Sequence, residues 1–230
     1  MISNSYYTEK YFSDRDQLDL HIAETIRIFM QGKKLETVLD VGCGTGRLIN
    51  YLTNQGFKVS GCDKSYYALK IAKRLNPNNK IFNCSVSKFS FKPNSFDLVT
   101  AISLIEHLTD LDMTQFIKEV RRVVRPNGFV FLVTPNYATP FRILQKKKWF
   151  AYHDQTHKIF YTPCSLTKIL QQYKFKNINL FFKTNYDLFE WNCSGWFKYF
   201  PTNIKKLLTF LLTSTHLSFL RNSFWISGQK

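Results

Sequence analysis

The chain has 230 residues, 44% of them hydrophobic and 21% charged, which is enough for one domain with a real core and excludes collagenous, repetitive or disordered classes. Its formal net charge of +16 is unevenly placed, about +5 over residues 1–135 and +11 over residues 136–230, where all four tryptophans also lie. A surface of that kind attracts phosphates, acidic lipid headgroups, nucleic acid or an anionic small molecule, or is simply a solvated lysine-rich face.

The elements alternate along the chain. Leu18, Ile22, Ile26 and Phe29 are spaced for a helix over 16–31. A buried strand over 37–41 runs into a glycine-rich loop and a helix over 47–55. A strand over 57–62 follows, with Ser65 as N-cap of a helix to Leu75. Strands are expected over 80–84 and 96–102, then a helix over 112–124 stopped by the turn Arg125-Pro126-Asn127-Gly128, then a strand over 129–134. Pro135 and Pro140 bracket a loop running on to Lys146-Lys147-Lys148-Trp149. Thr162-Pro163 opens a helix to Tyr173, residues 176–183 form a strand, 204–220 an amphipathic helix, and 224–227 a closing strand. This order predicts an α/β fold, a mostly parallel sheet with helices on both faces.

Five cysteines, Cys43, Cys62, Cys84, Cys164 and Cys193, show no Cys-x-x-Cys spacing. They argue against a disulfide framework or zinc knuckle and for a reducing, cytoplasmic setting. Cys43, Cys62 and Cys84 each fall near a strand end and read as small buried residues around a cleft, where thiol reagents would inhibit. No apolar leader is seen at Met1–Tyr7, and Leu207–Leu212 is far too short to span a bilayer.

The informative segment is Val38-Leu39-Asp40-Val41-Gly42-Cys43-Gly44-Thr45-Gly46, with Asp63 placed 21 residues after Gly42. Glycines at alternate positions let backbone N–H groups turn toward a ligand beyond the strand tips, and an acid at the second strand's end can accept from ribose hydroxyls. Arg47 stands where a dinucleotide fingerprint needs its third glycine, and no Gly-Lys-Ser/Thr follows. Both observations count against a dehydrogenase and a P-loop.

In these residues the chain resembles the class I S-adenosylmethionine-dependent methyltransferases, the likeness also taking in Ser95-Phe96-Asp97-Leu98-Val99 and Arg125-Pro126-Asn127-Gly128. Ile105-Glu106-His107-Leu108 resembles their small-molecule branch, which includes quinone and sugar O-methyltransferases. The likeness is good over 36–136, looser from Asp154-Gln155-Thr156-His157 to Phe175, and weak beyond. It implies a Rossmann-like fold with a seven-stranded, mostly parallel sheet. A single domain over 1–230 would comprise an N-terminal helical cap (1–35), a cofactor core (36–136) and an acceptor-side elaboration (137–230). It further implies that Asp40 fixes the methionine end, that Gly42, Cys43, Gly44 and Gly46 line S-adenosylmethionine, that Asp63 holds its ribose and that Lys64 lies against the adenosine. Ser85, where many relatives carry Asp, would meet the adenine amine, Val86 would flank the ring, and Ser103 would face the methionine.

On the acceptor side His157 and His107 are the candidates for a general base, with His153 behind them. Tyr6, Tyr7 and Tyr11 are expected to close over the cofactor. No metal site is expected. Ser103-Leu104-Ile105-Glu106 replaces the Pro-Pro-aromatic motif of base-methylating enzymes, and Pro163-Cys164 lies too far downstream for a cytosine-C5 nucleophile. The leading expectation is methyl transfer to a small molecule, at oxygen, the acceptor being anionic or lipid-linked. RNA or protein methylation through the basic surface and a non-catalytic cofactor-binding protein stay open. The aromatic, basic stretch 186–225 reads as a core-packing helix, an acceptor lid or a peripheral membrane contact.

Overall fold

The computed structural model describes residues 11–12, 17–182, 199–214 and 221–230. Helix α1 (Leu20–Lys33) starts later than its apolar spacing suggests, because Asp19 accepts from the backbone N–H groups of His21 and Ile22 and so caps it. Strand β1 (Thr37–Val41) leads to α2 (Arg47–Asn54), and β2 (Lys58–Asp63) to α3 (Tyr66–Leu75). Ser65 is the N-cap of α3, its hydroxyl accepting from Ala68 N–H at 3.2 Å. Then come β3 (Lys80–Asn83), β4 (Phe96–Ile102), α4 (Asp110–Val123) and β5 (Val124–Pro135). The remaining elements are α5 (Pro140–Gln145), α6 (Pro163–Gln172), β6 (Lys176–Phe182), α7 (Thr202–Ser214) and β7 (Ser223–Gln229).

The seven strands form one sheet in the order β3-β2-β1-β4-β5-β7-β6. The first five are parallel, and β7 runs antiparallel between β5 and β6. Alternation along each strand sends side chains to opposite faces. Val99, Ala101, Val130 and Leu132 pack with Phe116 and Val120 of α4 and Leu166 and Leu170 of α6. Leu98, Phe131 and Val133 pack with Ile26 and Met30 of α1 and Ile49 and Leu52 of α2. Helices thus cover both faces, as expected. Among the described residues no helix is long and apolar enough to cross a membrane.

Two expectations change. The segment 125–128 is not a terminating turn but a bulge within β5, with the pairing to β4 shifting between Phe96↔Val124 and Leu98↔Phe129. Arg125 in that bulge pairs with Asp97 at 2.7 Å. The loop after Pro135 contains a helix, because Thr139 accepts from Phe141 N–H and Pro140 takes the first turn, where no N–H is needed.

Asp97 ties three strands together. Its carboxylate accepts from Glu36 N–H, Thr37 N–H and hydroxyl, and the Arg125 guanidinium. Burial pushes its carboxyl up, but those bonds win and hold it below the ordinary carboxylate range. Asp97→Ala is expected to cost about 2–3 kcal/mol in urea unfolding; Arg125→Ala, which removes only the half-exposed partner, is expected to cost about 1 kcal/mol or less.

Candidate active site

The strand order reverses between β1 and β4, so the chain leaves their carboxyl ends in opposite directions and a crevice opens there. It is a cavity of about 830 Å³. Val41, Gly42, Gly44, Asp63 and Lys64 line one side, with Ser85 and Val86 beyond β3 and Ser103 and Leu104 beyond β4. The other side is Glu106, His107, Phe150, His153, Asp154, His157 and Lys158. Tyr11 and Phe12 also line it, and the Phe12 ring stacks on Tyr67 at 6.0 Å. Tyr6 and Tyr7 lie outside the described residues.

The loop is held by its neighbours. Gly42 and Cys43 donate N–H to the Cys62 carbonyl at 2.8 and 3.1 Å, and Gly44 N–H donates to Asp63 Oδ2 at 2.9 Å. Gly42 has φ +73°, and a Cβ there would lie 2.9 Å from Leu104. Glycine is therefore favoured by the turn, while the Leu104 side chain could give way to a Cβ. Ser103 holds a left-handed φ of 48° at the tip of β4. A serine in that region is strained, and strain of this kind concentrates at ligand sites.

Asp63 accepts a second bond, from Ser65 N–H at 2.8 Å, so its carboxylate is oriented before any ligand arrives. Burial pushes this carboxyl up against those two bonds, and burial lowers the Lys64 ammonium beside it. Asp40, Cys43 and Gly46 are buried at the loop. Asp40 accepts the Thr100 hydroxyl at 2.8 Å, and burial pushes its carboxyl up to about 7. The Cys43 side chain packs against Gly61, and Gly46 against Ala72 and Asn76. Ser85 reaches the cavity while its hydroxyl is shared with Ser87 at 2.8 Å.

The cysteine expectation is corrected. Cys62 and Cys84 are disulfide-bonded, with a Cα separation of 5.7 Å. The pairing of β2 with β3 sets Cys62 opposite Phe82 and carries Cys84 alongside, which a separation of 22 in sequence does not reveal. Cys43 is free but buried, and burial raises its thiol well above the ordinary value. Such a thiol is unreactive, so the exposed Cys164 is expected to be alkylated before Cys43.

The opposite wall assembles around two histidines whose ring centres lie 4.7 Å apart. The segment bearing His157 is anchored by Lys158 and Ile159 N–H groups donating to the Glu106 carbonyl, and by Trp149, Tyr152 and Phe160 packing together. His157 Nδ1 meets the Ala151 carbonyl at 2.7 Å, and since a carbonyl only accepts, that nitrogen carries the proton. Thr156 donates its hydroxyl to Asp154 at 2.6 Å and faces His107 Nδ1 at 2.7 Å, so His107 Nδ1 is the donor there. In the neutral rings both Nε2 lone pairs are therefore available. Burial and the neighbouring His157 lower His107 to about 4.

Glu106, which its sequence context did not mark as a site residue, is buried beside this pair and accepts the Thr134 hydroxyl at 3.2 Å. Glu106, His107 and His157 each offer one ligand atom within 4.8 Å of the others, so the three could also hold a metal ion, where the sequence pointed to none. Burial pushes the Glu106 carboxyl up to about 8. A raised carboxyl favours the fold below its unfolded value and withdraws that support as pH climbs through the folded value. Glu106→Gln is therefore expected to raise the melting temperature more at pH 9 than at pH 5, read by thermal denaturation at both.

Comparison with known proteins agrees with this geometry. Residues 39–132 match the family model described as a methyltransferase domain. A ubiquinone biosynthesis O-methyltransferase of Albidiferax ferrireducens is 34% identical over 107 residues, 44% of this chain and 42% of that protein. A demethylmenaquinone methyltransferase of Chlorobaculum tepidum is 31% identical over 131 residues, 56% of this chain and 52% of that protein. The chain thus spans about half the length of these curated relatives. Among solved structures, a SAM-dependent methyltransferase from Archaeoglobus fulgidus superposes with TM-score 0.68 at 16% identity, covering 96% of this chain and 98% of that one, a likeness of fold. The loop and the strand order agree with that match: residues 39–132 are similar to a methyltransferase domain, and the fold is that of the SAM-dependent methyltransferase structure.

Proposed function

We propose that the chain transfers a methyl group from S-adenosylmethionine to an oxygen of a small-molecule acceptor. The observation that carries this reading is one cavity holding, on one side, the pre-oriented Asp63 carboxylate and, on the other, the His107 and His157 Nε2 lone pairs. A sulfonium, when bound, supplies an activated methyl that needs only an aligned nucleophile and dry surroundings. The site residues suit that ligand. Asp63 would accept the ribose hydroxyls and Lys64 would lie along the adenosine. Ser85 and Val86 would border the adenine, and Gly42, Gly44 and Ser103 would border the methionine. Asp40, Cys43 and Gly46 would hold the loop against its neighbours.

His157 is the better-placed base, because its Nδ1 proton is committed to a carbonyl and its Nε2 can take the acceptor's proton. His107, lowered by burial and by His157, stays neutral near pH 7 and positions the acceptor or shares the proton. The quinone-pathway names of the relatives support a phenolic or enolic acceptor. The basic excess of residues 136–230 supports an anionic or lipid-linked one.

Calorimetry should show S-adenosylmethionine binding that Asp63→Ala weakens roughly tenfold to a hundredfold, the loss of charge-assisted hydrogen bonds. In assays of S-adenosylhomocysteine formation with metabolite extract, His157→Ala should lower kcat with little change in cofactor affinity. Product formed from total RNA and not from metabolites would overturn the small-molecule reading. A strict requirement for a divalent cation would reassign the histidine pair from proton transfer to metal binding.

A further inference from the structure

The segment that carries one wall of the cavity also carries an unusual outer surface. Phe141, Trp149 and Ala151 are buried and anchor it, and the Trp149 indole donates to Asn222 at 3.2 Å. Between these anchors Ile143 and Leu144 of α5 are 65% and 54% exposed, and Lys146, Lys147 and Lys148 are exposed directly after them. The Arg142 guanidinium sits over the Tyr137 ring, 4.0 Å from its centre. No acidic residue occurs from Pro140 to His153. Phe150, 47% exposed, follows in the same run and borders the cavity.

Two aliphatic side chains facing water beside three ammonium groups have no partner among the described elements that accounts for them. We propose that this surface, Ile143 to Phe150, docks on a membrane bearing anionic lipids. The aliphatic pair enters the acyl boundary and the lysines sit at the phosphates, and the rim at Phe150 then opens toward the interface. Charge complementarity selects the bilayer. A nucleic-acid surface would use the lysines but gain nothing from desolvating Ile143 and Leu144. The docking stands apart from the methyl-transfer reading; only its consequence, that a lipid-linked acceptor reaches the cavity from the bilayer, rests on it.

The test is co-sedimentation of the full chain with vesicles of phosphatidylcholine, with and without phosphatidylglycerol. Two variants accompany it, K146Q/K147Q/K148Q and I143S/L144S, none of whose residues lines the cavity. The melting temperature without ligand shows that each is folded, independently of cofactor binding. The expected result is partition onto the anionic vesicles only, weakened roughly tenfold or more by each variant. Equal partition onto both vesicles, or no partition, overturns the proposal. So does binding lost in the lysine variant and kept in I143S/L144S, which means adsorption by charge alone. Retention of polyuridylate by the wild type, abolished in the lysine variant, without vesicle binding, makes the surface a nucleic-acid contact.

Discussion

The reversal of strand order between β1 and β4 is the constraint on which the rest depends. It leaves the tips of two adjacent strands uncovered where the loop after β1 turns. Asp63, at the end of β2, is drawn to that loop by Gly44 and to the start of α3 by Ser65. One carboxylate thereby braces the loop and faces the cavity. The energetic cost is visible in its raised carboxyl, since the two N–H bonds do not fully offset burial.

The opposite wall is built by a different means. His157 is placed by the Glu106 and Ala151 carbonyls, each in a short 3-10 turn, and by an aromatic cluster at Trp149, Tyr152 and Phe160. Hydrogen bonding fixes the tautomers of both histidines in their neutral forms, and fixed lone pairs are what either proton transfer or a metal ion would require. The buried Glu106 adds a carboxyl that favours its neutral form at physiological pH, a stored cost that a bound cation would relieve.

Local signals in the chain made much of this readable. The caps at Ser65 and Thr162, the apolar run into Gly42 and the acid at Asp63 act over a few residues, and each appears where expected. What was hidden depends on register and on distant pairs. Cys62 and Cys84 meet only because β2 and β3 pair. His107 and His157 were separate candidates until the fold set them 4.7 Å apart. The partners of Asp40 and Cys43 were equally hidden, since pleating and loop direction turn their side chains inward, toward Thr100 and Gly61. The helix α5 was masked by prolines that read as loop brackets, although one of them starts it.

The most direct measurement of the central claim is a crystal structure of the chain with S-adenosylhomocysteine. The account predicts ribose hydroxyls on Asp63 and the sulfur facing His157 across the cavity. Ligand density elsewhere, or a ribose that leaves Asp63 untouched, would contradict it.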